Sequence, residues 1–347
     1  MGWNLLTRRR DELPEMRWSL VVLAMAVTCL CGGAVPWLCE TAVVLAVPSL
    51  VLSVTAYTML ILLWRRLAAV GVSTGIGAVV LLTGGGWFWA VCFAVCLLAV
   101  AYVYASLYMA REPRFVRIAS GASAAGICGL LVAVAWISGR FDTLGEAIVF
   151  FCDRFRDSAD VGLQALYGAG NADSTVILLP ETINAMLYQV VAAVPALAGM
   201  GCILFAWVCD GVIRLTFMQL DCREYFTADG DDGITIPRSF GVLYGVFLFL
   251  VMGTSASGSP YLYSILSNCH WIFALPCAWV GLCAGYRKLR HALAEASFYG
   301  TVKTHSPLPA LFVMVFFVLL LGVSVTFTVL AVLGAVRIIR RRKTTEQ

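Results

Sequence analysis

From Trp18 to Arg337 the chain is a succession of apolar runs, each about as long as a bilayer is thick, joined by short charged segments. A hydrocarbon core of about 30 Å takes roughly 20 helical residues to cross, and in lipid every backbone N–H and C=O must be satisfied inside the spanning element. Helices meet that demand one segment at a time, and the runs are too long for the strands of a barrel. The sequence therefore predicts an all-α fold, a polytopic transmembrane helical bundle. Composition agrees: charged residues make up 13% of the chain against about 25% in an ordinary soluble domain. The mean hydropathy is +0.89.

Spans are expected at 18–36, 41–63, 67–84, 87–109, 118–138, 183–209, 239–256, 266–286 and 308–336, about nine crossings. The whole of 1–347 reads as a single integral membrane domain. Its parts are five spans over 18–138, a polar and amphipathic segment over 139–182, the remaining spans over 183–336 and a basic tail over 337–347. The basic cluster Arg8 to Arg10 is followed by acidic residues and by a span without a clear A-x-A site, so span one is expected to stay as an anchor.

Three basic clusters share one parity: Arg8 to Arg10 with Arg17, then Arg65 and Arg66, then Arg111, Arg114 and Arg117. The positive-inside rule places all three in the cytoplasm. Segment 139–182 is then external, and its acidic residues Asp142, Glu146, Asp153, Asp157, Asp160, Asp173 and Glu181 suit that side. Within it Leu144, Ile148, Phe151 and Phe155 recur at helical spacing opposite Asp153, Arg156 and Asp157, which predicts an amphipathic outer helix. The stretch from Ser174 to Leu220 exceeds one span and contains Pro180 and Pro195, so a long tilted helix, a kinked one and a hairpin all remain open. With one crossing there, the basic cluster Arg287, Lys288 and Arg290 lies inside and the tail from Arg337 lies outside; a hairpin reverses both.

Most of the thirteen cysteines lie inside apolar runs and act there as small hydrophobes. Cys152 and Cys222 lie in polar joints, where an incidental free thiol is the plain reading and a reactive one the sharper. The three histidines, His270, His291 and His305, are not spaced as metal ligands with any Cys or carboxylate, so neither a metal nor a cofactor is expected. The carboxylates of Asp229 to Asp232 lack the spacing of a calcium loop. G-x-x-x-x-G-K-[ST], H-E-x-x-H and G-x-S-x-G are all absent, which leaves an enzyme without a recognisable nucleophile and base. The net charge is only +4, and its positive members sit at span ends, so the expected partner is the lipid bilayer and no nucleic acid.

An ionisable side chain inside a span costs a few kcal/mol and is a functional candidate for that reason. Asp210 is the clearest, with Arg214 four residues on at the favourable spacing for an intrahelical pair. The pair reads either as a substrate or proton site at the inner end of the sixth span or as a structural ion pair at the membrane boundary. Glu181, Asn184 and Tyr188 share one helix stripe and could line a pocket for a small organic solute. In the plainer account the acid favours a helix start and the amides join helices. His270, with Asn268 and Trp271, heads the eighth span, where a headgroup-level residue is the plain reading and a ligand or proton relay the sharper one. Gly71, Gly75 and Gly77 are expected to let neighbouring helices approach closely.

The layout has further marks: a proline in the second span (Ala46-Val47-Pro48-Ser49), an amphipathic joint before the sixth, a mid-helix proline in it (Ala193-Val194-Pro195-Ala196-Leu197), and a last span ending in basic residues. In these it resembles the YybS-like family of bacterial polytopic membrane proteins, whose function is unknown. That family is similar in arrangement to the substrate-binding subunits of energy-coupling-factor vitamin transporters. The resemblance implies the bacterial plasma membrane, a solute cavity open to the outside, and a separate ATPase or transmembrane coupling module packing on small residues such as Gly71, Gly75 and Gly77. The leading expectation is a non-enzymatic small-solute binding or permease subunit without its own ATPase. A membrane scaffold or assembly protein of the cell envelope comes second and an intramembrane enzyme third.

Overall fold

A computed structural model of the chain describes residues 18–63, 66–83, 86–143, 145–147, 149–150, 153, 180–220, 234–255, 259–297 and 323–340. Most of the expected amphipathic outer helix, the Asp229–Gly233 turn, Cys152, Cys222 and the first half of the expected last span lie outside these residues.

Among the described residues the secondary structure is helical. The long helices are α1 (Trp18–Thr41), α2 (Val43–Leu63), α3 (Arg66–Leu82), α4 (Trp87–Met109), α5 (Arg114–Arg140), α6 (Pro180–Gln219), α7 (Arg238–Ser255), α8 (Pro260–Ser297) and α9 (Val323–Arg340). Each overlaps one expected span. Six carry segments long and apolar enough to cross a membrane: Val21–Cys39, Leu45–Leu62, Trp87–Met109, Arg114–Arg140, Ala192–Gln219 and Tyr261–Leu289. Several apolar helices of this length are the pattern of a multi-pass membrane protein. Val70–Leu82 and Arg238–Thr254 are apolar but shorter. At 1.5 Å per residue, the 17 residues of α3 reach about 26 Å, just under the hydrocarbon thickness.

From Pro180 to Gln219 the chain is one uninterrupted helix of 40 residues, so the hairpin reading of this stretch gives way to a single long helix. Pro180 opens it, at the position where a missing N–H costs nothing. The start of the outer segment is also visible. Thr143 Oγ1 accepts the Glu146 N–H at 3.2 Å, and Glu146 Oε2 accepts the Asp142 N–H at 3.2 Å, a reciprocal cap at a helix start.

The chain packs as two compact units, 1–190 with 201–234 and 191–200 with 235–347. In unit one, α1 lies against α2 and α3, α2 and α3 against α4, and α4 against α5. Apolar residues carry no hydrophobic preference for each other over lipid, so close approach and hydroxyl bonds do the joining. Ser53 donates to the Thr28 carbonyl at 3.2 Å, Tyr57 and Ser73 share a hydrogen bond, and Cys29 Sγ donates to the Val72 carbonyl at 3.7 Å. Of the three expected contact glycines, Gly75 faces Cys29 Sγ and Gly77 lies at ordinary distance from Ala90, whereas Gly71 has open space where a Cβ would be. Among the eleven described cysteines no disulfide forms.

In unit two, α7, α8 and α9 pack pairwise. The α8–α9 crossing is built on reciprocal glycines. A Cβ at Gly281 would overlap the Leu330 carbonyl, and one at Gly334 would overlap the Cys277 carbonyl. Here the absence of a side chain is what lets two backbones touch.

Candidate functional site

In unit one, Asp210 is fully buried and its carboxylate is held from two other helices. Arg114 Nε donates to Oδ2 at 2.9 Å, Arg117 Nε donates to Oδ1 at 3.0 Å, and the Tyr108 hydroxyl donates to Oδ1 at 2.6 Å. Arg117 is fully buried too. It lies with its guanidinium 4.4 Å from the centre of the Tyr108 ring, while its Nη1 donates to the Glu112 carbonyl at 2.6 Å. Phe217 closes the other side of Tyr108 in an edge contact at 5.1 Å.

Local sequence explains how two arginines come to point at one acid. The end of α4 is a Schellman turn: the Glu112 N–H reaches the Leu107 carbonyl at 3.0 Å and the Arg111 N–H reaches Tyr108 at 3.1 Å. Its left-handed residue, usually glycine, is Arg111 with φ 54°. Pro113 follows as the cap of α5, placing Arg114 and Arg117 in the first turn and one helical step apart. The Arg117 bond to the Glu112 carbonyl then ties the turn to the charge cluster.

Tyr104 and Tyr108 fix how α6 meets α4. Tyr104 donates to the Ala206 carbonyl at 2.9 Å, and Tyr108 reaches both the carbonyl and the carboxylate of Asp210. Each pair is separated by 102 residues, so α4 and α6 run parallel and in step. Gly121 makes room, since a Cβ there would overlap the Tyr104 ring.

Spacing pairs Asp210 with Arg214; in the structure Asp210 forms ion pairs with Arg114 and Arg117 of α5, which the sequence places at the headgroups. Two guanidinium groups from α5 bring two strong bonds to one carboxylate. A signal for this was present: Tyr104 and Tyr108 repeat the four-residue spacing of Ala206 and Asp210.

Glu181, Asn184 and Tyr188 lie in the first turns of α6, where the described residues do not include their side chains. His270 belongs to unit two and is only 6% exposed, buried within the protein. The helix α8 begins at Pro260, six residues ahead of the expected span. Its ring stacks on Tyr244 at 5.2 Å and meets the edge of Trp271 at 5.8 Å. His270 Nδ1 and the Tyr244 hydroxyl are both buried with no hydrogen-bond partner among the described residues.

Two residues before it, Asn268 performs a structural task that was read only as position. Pro195 interrupts the hydrogen-bond ladder of α6. The Asn268 amide inserts there, with Nδ2 donating to the Ala192 carbonyl at 2.8 Å and Oδ1 accepting the Ala196 N–H at 3.0 Å. Nδ2 also donates to Ser264 at 2.9 Å, so the amide is satisfied on both ends.

No group of three His, Cys, Asp or Glu side chains is placed to hold a metal among the described residues. Comparison of the chain with protein-family models, curated proteins and solved structures finds no match.

Proposed function

We propose that this is a solute-handling membrane protein, a small-solute binding or permease subunit of about nine crossings that has no ATPase of its own and works with a coupling ion or a partner ATPase module. The observation that carries the reading is the His270–Tyr244 pair. Each buried polar atom without a partner costs about 1–3 kcal/mol, which Phe or Leu at the same positions would avoid. In an apolar setting such a pair favours a role in recognition. The resemblance to the YybS-like family points the same way and brings with it the bacterial plasma membrane.

A membrane scaffold is the second reading, and the Asp210 cluster favours it. A carboxylate already holding two arginines and a phenol is occupied as a clamp between helices, with its charge committed to the fold.

The experiment is a thermal-shift screen of the detergent-purified protein against vitamins, nucleobases and amino acids. A concentration-dependent rise supports the solute reading, because stabilisation follows ligand affinity by mass action. A flat response from demonstrably folded protein moves the assignment to the scaffold.

A further inference from the structure

We infer that the His270–Tyr244 pair of unit two is a binding site for a neutral, planar ring bearing a hydrogen-bonding oxygen or nitrogen; this rests on the solute-handling reading and names the chemistry of its ligand. Depth is the first argument. His270 lies nine residues beyond Tyr261, where the apolar span begins, which is roughly 14 Å along the helix axis and well inside that span.

Charge is the second. The buried charged residues among those described, Arg117 and Asp210, both belong to unit one. A charged ligand at His270 would meet no buried counter-ion there, and an isolated charge in so apolar a setting is prohibitive. A neutral ligand avoids that cost while supplying what the pair lacks. The phenol O–H donates or accepts, and an imidazole nitrogen does either according to tautomer.

Shape is the third. The α7–α8 seam is made of rings: Phe240 and Phe247 lie 4.8 Å and 5.1 Å from Phe273, and Tyr244 stacks on His270. On the far side of the same helix, Trp271 stacks on Phe327 of α9 at 5.5 Å. Flat neighbours favour a flat guest through offset stacking. Toward α9 the α8 backbone interlocks at Gly281 and Gly334, whereas toward α7 the contact is ring on ring.

The test measures melting of the full-length protein in detergent with uracil, nicotinamide and menadione as neutral rings and nicotinate as the charged counterpart of nicotinamide. Parent, Tyr244→Phe and His270→Phe proteins are compared. The expected result is a concentration-dependent rise with at least one neutral ring, none with nicotinate, and loss of that rise in both variants, which themselves melt at or above the parent. The site is overturned if the rise survives in both variants, if nicotinate matches nicotinamide, or if Tyr244→Phe melts below the parent, since its hydroxyl would then be satisfied within the fold or by ordered water. A rise with an amino acid that is equal in parent and variants would remove this site and leave the solute reading standing. Silence across the neutral rings and the wider screen would remove both.

Discussion

Two clusters, one in each unit, bury polar groups in opposite ways. In unit one, Asp210 receives three strong bonds from Tyr108, Arg114 and Arg117, and Arg117 is tied again to the turn it springs from. In unit two, the Tyr244 hydroxyl and His270 Nδ1 lie buried side by side and bond to no described residue. A charge cluster that satisfies itself has its bonding capacity committed to helix packing, while a pair that does not is held at a cost.

The largest effect is expected where that commitment is strongest. Asp210→Asn leaves two arginines without their counter-charge and should destabilise the protein by about 3–5 kcal/mol, a large part of an ordinary folding free energy. Loss of folded protein on size exclusion in detergent checks it, and any activity should fall in proportion to abundance. Pairing Asp210→Leu with Arg117→Met should recover part of the loss, because an apolar replacement removes both charges together. Retained folding in Asp210→Asn would sink the clamp and return Asp210 to the list of solute ligands.

Asn268→Ala comes next. It strips the Ala192 carbonyl and Ala196 N–H of their amide bridge beside Pro195, and about 1–3 kcal/mol of stability should go with it. Helix α6 should then exchange its amide hydrogens faster around residue 195 than elsewhere, a pattern that uniform exchange would refute. Tyr244→Phe should move stability in the opposite direction, up by about 1–3 kcal/mol, since it deletes a polar group that has no partner. A loss there would erase the contrast between the units. The smallest change is Arg111→Gly. Glycine adopts the left-handed conformation at φ 54° without steric penalty, so melting should stay within a few degrees of the parent. A collapse would show that the Arg111 side chain matters more than its backbone.

Much of the helical order was legible because the bilayer imposes a length on each apolar run, and α4 spans Trp87–Met109 as expected. The expected start of α8 falls six residues late, at 266 against Pro260, and the burial of His270 depends on Tyr244 and Trp271 packing around it, which spacing along one helix does not display. Asp210 stood out because an acid within an apolar helix is conspicuous. Its partners did not, since a sequence displays neighbours three and four residues away and hides those 93 and 96 away. The arginines also had a sufficient explanation at the membrane surface. Asn268 was legible as a polar residue in an apolar run, but its use depends on Pro195, 73 positions earlier in the chain.

The separation of 93 residues between Arg117 and Asp210 also sets an order of events during synthesis. A ribosome adding about 5–20 residues per second brings the acid to the membrane roughly 5–20 s after the arginine. Through that interval α5 stands in the bilayer with two cations at its first turn and no anion to receive them. The aqueous edge of the membrane is where two such cations can wait, and the arrival of α6 supplies the carboxylate that closes the cluster.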